Sequence, residues 1–178
     1  MKFSHLILSL TLALTSAVAF ASDYLTIQLK DGPVVIKLSP EVAPQNVARI
    51  KALATSGKYN DVAFHRVIDG FMAQTGDVQF GNLRKGLDAT RVGTGGSDAP
   101  DLPAEFSNIP FDRGVVGMAR SNEPNSANSQ FFIVFAPSYF LNGQYTLVGT
   151  EVSGMDKFAK VKRRASNDTG TVTHPDPM

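Results

Sequence analysis

The chain has 178 residues, with 17 basic against 16 acidic side chains, 43% hydrophobic residues and no cysteine. So even a balance argues against a nucleic-acid or membrane-surface partner held by charge. The missing cysteine removes disulfides, thiolate catalysis and sulfur metal sites, and three histidines in all argue against a histidine metal centre.

Met1 and Lys2 form a short positive start, and Leu6 to Leu14 is an apolar run broken only by Ser9 and Thr11. Ala19-Phe20-Ala21 follows as a small-x-small cleavage pattern, with Ala17-Val18-Ala19 as a second, the layout of a secretory signal. The run is shorter than the roughly 20 residues a bilayer span needs. Residues 1–21 are therefore expected to be removed on export to the periplasm or the medium. Residues 22–178 then form a single domain with no membrane attachment and, without Lys2, no net side-chain charge.

Tyr24 to Lys30 alternates apolar and polar residues, Asp31-Gly32-Pro33 is turn chemistry, and Val34 to Leu38 reads as the returning strand of a hairpin. Pro44 suits the first turn of a helix. Val47, Ile50 and Ala54, with Leu53 beside them, carry that helix to Gly57. Short strands are expected at Val62 to Ile68, Phe71 to Thr75, Val115 to Ala119, Gln130 to Phe135 and Tyr145 to Val152, and a second helix at Met155 to Arg163. Between them Gly76 to Asn108 is a loop rich in Gly, Pro and Asp, of a length usually kept for function. Seven strands and two helices predict a mainly β, antiparallel closed barrel with helical caps.

The chemistry concentrates in Phe64-His65-Arg66-Val67-Ile68-Asp69-Gly70-Phe71-Met72-Ala73-Gln74-Thr75-Gly76-Asp77. Strand alternation sets Phe64, Arg66 and Ile68 on one face and His65 on the other. An arginine beside Phe71 and Met72 is equally compatible, on this segment alone, with a side chain snorkelling over an apolar edge. A second segment shifts the balance. Gly114 to Arg120 is followed by Asn128-Ser129-Gln130-Phe131-Phe132, bringing another glutamine and another phenylalanine into a strand, and Phe140-Leu141-Asn142-Gly143-Gln144-Tyr145 presents an aromatic and an aliphatic residue on a loop.

In this order and spacing the segments resemble the cyclophilin family of peptidyl-prolyl cis-trans isomerases, from about Leu25 to Arg164. The resemblance implies an eight-stranded antiparallel barrel with two capping helices and a groove on its outer face. It implies Arg66 as the catalytic residue, and a pocket for the substrate proline ring formed by Phe71, Met72, Phe132 and Leu141. Gln74, Ala119, Arg120 and Gln130 would position the peptide, Arg120 through its backbone, and Gly93-Thr94-Gly95-Gly96 would border the neighbouring subsite. Phe140 stands where many members have Trp, Tyr145 where many have His, and Arg120 where many have Asn. These departures imply weak cyclosporin binding and an altered substrate preference.

The activity implied is isomerisation of X–Pro bonds in exported polypeptides, needing no cofactor, nucleophile or general base. The alternative is a peptide-binding chaperone or assembly module with little turnover, which has no need of Arg66. The remaining features have blander readings. His65 is structural, Asp77 and Glu105 are solvated or cap backbone, and Ser129 has no histidine partner. Gly93 to Gly96 lacks the Lys-Ser/Thr of a phosphate loop. The basic run Lys157, Lys160, Lys162, Arg163 and Arg164 answers a helix C-terminus, and Asn167-Asp168-Thr169 is only a formal glycosylation pattern. One feature conflicts with the family. Members close the barrel with a strand after the second helix, whereas here Ala165 to Thr173 is polar and Pro175 and Pro177 withhold ladder donors. The last strand is therefore expected to be missing, leaving an open seam, a weakened fold and a tendency to associate.

Overall fold

The computed structural model describes residues 23–161, 170–172 and 175–178. The leader, Lys162 to Arg164 and Asn167 to Thr169 lie outside them. β1 (Tyr24–Leu29) and β2 (Gly32–Leu38) form the expected hairpin, and Gly32 takes the positive φ of 123° that the turn requires.

Helix α1 (Pro44–Thr55) has proline in its first turn but no cap from its own side chains. Glu105, 59 and 60 positions on, supplies one. Its carboxylate accepts the backbone N–H of Gln45 at 3.2 Å and of Asn46 at 3.0 Å, and the Asn46 amide at 2.7 Å. A negative group there also opposes the positive end of the helix dipole. The buried stripe is Asn46, Val47, Ile50 and Leu53, with Ala54 only half-buried beside it.

The remaining strands are β3 (Arg66–Ile68), β4 (Met72–Thr75), β5 (Val115–Met118), β6 (Phe131–Val134) and β7 (Leu147–Ser153). All seven join one antiparallel sheet in the order β1-β2-β7-β5-β6-β4-β3. The long loop contributes no regular element, and helix α2 (Met155–Phe158) is shorter than expected. The Val62 to Ile68 strand shrinks to its last three residues, because the Ala63 N–H turns to the Gly81 carbonyl and Val62 and Ala63 make only isolated bridges. That break overturns one expectation. Phe64 does not share a face with Arg66 but lies in the core with Val67, edge-on to Phe158 at 5.5 Å.

Alternation along the strands divides the apolar residues between two faces. Val67, Ala73, Val116, Phe131, Ile133 and Val148 point inward, with Val47 and Ile50 of α1 in the same core. Their neighbours Met72, Val115, Phe132, Val134 and Leu147 gather with Phe111 and Leu141 on the outer face. Both clusters are buried, so the outer face is packed rather than merely wetted.

No regular strand follows Phe158 among the described residues, yet the tail does pair. Gly170 accepts from the Val67 N–H, Val172 donates to His65, Asp176 accepts from Phe64, and Met178 both donates to Val62 and accepts from Asp61. As expected no regular eighth strand forms there among the described residues, and the isolated pairing that does occur escapes the prolines for a reason of parity. In an antiparallel ladder alternate residues face the partner, and here Asp176 and Met178 face it while Pro175 and Pro177 do not. The open edge is instead that of β1. The Leu38 N–H donates to the Asp23 carbonyl, so residues 25, 27 and 29 bond β2, and the N–H and C=O groups of Tyr24, Thr26 and Gln28 point away from it. Beside that edge runs a cleft of about 410 Å³ lined by Leu25 to Gln28, Tyr59 to Asp61 and Met178. No helix among the described residues is long and apolar enough to cross a membrane.

Candidate active site

The β3–β4 register sets Arg66 directly opposite Gln74, and the β4–β6 register sets Gln74 opposite Phe132. Arg66 Nη1 donates to Gln74 Oε1 at 3.5 Å, Gln74 Nε2 donates to Gln130 Oε1 at 2.9 Å, and Gln130 Nε2 donates to the Gly95 carbonyl at 2.8 Å. This relay fixes both glutamine amides, and with them one side of the guanidinium.

Next to the relay is a cavity of about 330 Å³. Its floor is Met72, Phe132 and Leu141, each buried, and Phe71, Phe140 and Tyr145 form its walls. Phe132 can lie flat only because β5 has a glycine beneath it. A β-carbon at Gly117 would stand 2.6 Å from Phe132 and 2.8 Å from Phe111, and these two rings stack at 6.0 Å. Tyr145 meets Phe132 edge-on at 5.5 Å. A 3-10 turn, Tyr139–Leu141, turns Leu141 inward and leaves Phe140 65% exposed, 5.3 Å from Phe71. Tyr139 anchors the turn by donating to Asp112 at 2.8 Å, a bond that raises its phenol above the usual range.

A second, polar cavity of about 550 Å³ adjoins the first, and the two share Gln74, Ala119 and Arg120. One of its walls is the Gly93–Ser97 turn. Asp77, fully buried, holds that turn: Oδ2 accepts from Gly93 at 2.7 Å and Gly95 at 3.0 Å, while Oδ1 accepts from Gln79 and Phe80. Asn128 holds the far side, accepting from the Ser97 N–H and hydroxyl and donating to Ala99 and Asp101. Asp77 and Glu105 thus both bind backbone, as expected, and neither faces the other as an acid/base pair.

His65 is buried, and neither ring nitrogen has a partner among the described residues. Burial pushes its pKa below the usual 6.5, with the charge of Asp77 opposing that shift. Among the described residues no cluster of three or more His, Cys, Asp or Glu could hold a metal.

The structure brings every expected site residue to these two cavities. Arg66, Phe71, Met72, Gln74, Ala119, Arg120, Phe132, Phe140, Leu141 and Tyr145 line the first, and Thr94 and Gln130 line the second. Sequence reasoning missed Gln144, whose carbonyl receives the Arg120 side chain, and Asn128, Ser121 and Ser126 on the polar wall. Those are isolated polar residues in loops, with no periodicity to mark them. It also missed Phe111, which the Gly114 to Arg120 strand pattern could not reach.

Comparison with known proteins gives the same answer independently. Residues 24–178 match the family model for cyclophilin type peptidyl-prolyl cis-trans isomerases. A Brucella suis protein described as a "Probable peptidyl-prolyl cis-trans isomerase" is 59% identical over 171 residues, covering 96% of this chain and 87% of the relative. A cyclophilin type peptidyl-prolyl cis-trans isomerase of Cryptosporidium parvum, crystallised in the presence of the dipeptide Ala-Pro, superposes with a TM-score of 0.75 at 25% identity, over 88% of this chain and 95% of that one. A cyclophilin from Hirschia baltica gives 0.70 at 26%, over 88% and 71%. A cross-strand Arg66–Gln74 pair beside an apolar outer-face pocket, on this sheet and with these relatives, belongs to the cyclophilin-type peptidyl-prolyl cis-trans isomerases, and this chain is a member of that family.

Proposed function

We propose that this isomerase works outside the cytoplasm on proline-containing polypeptides, with Arg66 acting on the prolyl bond and the Phe71, Met72, Phe132 and Leu141 pocket holding the ring. The observation that carries the reading is a guanidinium oriented by an amide relay at the rim of an apolar cavity. An X–Pro bond resists rotation by roughly 18–20 kcal/mol because its C–N bond is partly double. Twisting removes the conjugation and returns a basic lone pair to the prolyl nitrogen. A hydrogen bond donated there by Arg66 stabilises the twisted form more than the planar ones, and that difference is the catalysis. The apolar floor excludes water and strengthens the bond. A guanidinium donates this hydrogen bond without giving up its proton, so turnover needs no proton transfer.

The remaining roles belong to the same proposal. Gln74, Gln130, Ala119 and the Arg120 backbone align the peptide, Thr94 borders the neighbouring subsite, and Phe140 and Tyr145 complete the groove. Residues 1–21 direct export. Gly170, Val172, Asp176 and Met178 stand in for the family's eighth strand on the β3 side of the sheet. Exchange spectroscopy on short X–Pro peptides tests the activity, and a rate equal to that in buffer would refute it. Fractionation with N-terminal sequencing tests export: a mature chain starting at Ser22 outside the cytoplasm supports it, and a cytoplasmic chain retaining Lys2 refutes it.

A further inference from the structure

Arg120 stands at the junction of the two cavities, and rotation about a prolyl bond does not require its charge. The side chain is nevertheless held firmly. Nε and Nη2 both donate to the Gln144 carbonyl, at 3.0 and 2.9 Å, and Nη1 donates to the carbonyls of Ser121 at 2.8 Å and Asn122 at 3.3 Å. The guanidinium carbon also lies 4.7 Å from the centre of the Tyr145 ring, an attractive arrangement for a cation. All these partners are neutral. Among the described residues the ion pairs join other side chains, and no carboxylate pairs with Arg120. Among the described residues the apolar cavity is lined by two guanidinium groups, those of Arg66 and Arg120, and by no carboxylate. In the polar cavity the single acid among those residues is Asp101, which already accepts from Asn128 at 2.9 Å.

A peptide with its proline in the apolar cavity and its neighbours in the polar one must pass Arg120. Resting on the isomerase reading, we infer that Arg120 is a specificity-determining residue, selecting X–Pro segments that carry an acidic side chain beside the proline. Four donations to carbonyls leave one of the five guanidinium donors for a substrate carboxylate. Because the side chain is already ordered, binding such a carboxylate forfeits little further rotamer freedom.

The test uses the full chain and peptides bearing Glu, Gln or Lys at each position flanking the proline. Both turnover by exchange spectroscopy and affinity by titration are measured. At one position Glu should exceed Gln by about three- to five-fold in kcat/KM, the range an exposed ion pair yields, and Lys should fall below Gln. The gain should lie in KM and in Kd rather than in kcat, because the contact is the same in ground and transition states. It should shrink as salt rises from roughly 0.02 to 0.5 M. Arg120→Gln should abolish the preference. Arg120→Lys should keep its sign but weaken it, since an ammonium cannot hold the Gln144 carbonyl and the ring together. Equal values for Glu and Gln at every position, or an undiminished Glu preference in Arg120→Gln, would overturn the inference. Absence of turnover with every peptide would fall on the isomerase reading, and the titrations would still decide the role of Arg120.

Discussion

Arg66 lies at the groove and outside the buried core, so Arg66→Ala separates the proposed chemistry from folding. We expect kcat/KM to drop about 100- to 1000-fold, as for other single preorganised donors, with the melting midpoint nearly unchanged. Activity within a few-fold of the parent would rule the mechanism out. Gly117 makes the opposite prediction. Its β-carbon position is already claimed by Phe132 and Phe111, so Gly117→Ala should tilt Phe132 into the pocket, raise KM and lower stability by about 1–3 kcal/mol, which kinetics and thermal melts on one preparation will read. Phe140 is exposed beside Phe71, so Phe140→Trp adds an indole N–H and apolar area to the groove rim. Cyclosporin, expected to bind the parent weakly, should bind this variant more tightly by calorimetric titration, and equal affinities would exclude Phe140 from that contact.

Among the elements, the Gly93–Ser97 turn depends on a side chain that sequence proximity does not suggest. Four backbone N–H groups converge on Asp77, so an amide there turns donors toward donors. Asp77→Asn should lower stability by about 1–3 kcal/mol for each N–H left unpaired and should raise KM for substrates long enough to reach the polar cavity. His65, in contact with the same turn at Gly93, adds a pH dependence. A base whose folded pKa is lowered binds more protons when unfolded, so its effect on stability is absent above the usual pKa and destabilising below it. The melting midpoint should therefore fall as pH drops through 6.5. His65→Leu should remove that acid limb with little change in the midpoint at pH 8, since among the described residues neither ring nitrogen makes a hydrogen bond of good geometry. Turnover should stay level from about pH 6.5 to 9, because no group in the mechanism titrates there.

On the scale of the whole molecule, the sheet has two ends of different character. Gly170, Val172, Asp176 and Met178 cover the segment 61–67 through backbone hydrogen bonds. The outer edge of β1 has no such cover among the described residues and faces a cleft lined by Leu25, Ile27 and Met178. Unpaired edges of this kind invite further strands. An alternating apolar strand of about 6 to 8 residues appended after Met178 should raise the melting midpoint by several degrees. No rise would show that the cleft does not accept a strand.

How much of this was legible follows from the range of each interaction. The hairpin, helix α1 and the strand positions rest on periodicities of a few residues, which the sequence carries locally. The two-residue period set Arg66 and Ile68 apart from His65, whereas Met72, Gln74 and Phe132 were placed beside Arg66 only by the resemblance to the family. What the sequence could not decide depends on partners far along the chain. Examples are Glu105 capping α1, Asp77 gathering Gly93 and Gly95, the Gln144 carbonyl holding Arg120, and the tail pairing with residues 61–67. Phe64 left the face of Arg66 because one N–H, that of Ala63, found Gly81 instead of a strand. The tail shows the same limit from the other side, since proline content gives the number of missing donors while only the paired register tells which way they point. Local patterns determine which residues alternate and which can turn. Tertiary packing decides which distant groups complete their hydrogen bonds, and in this chain those groups fix the shape of the groove.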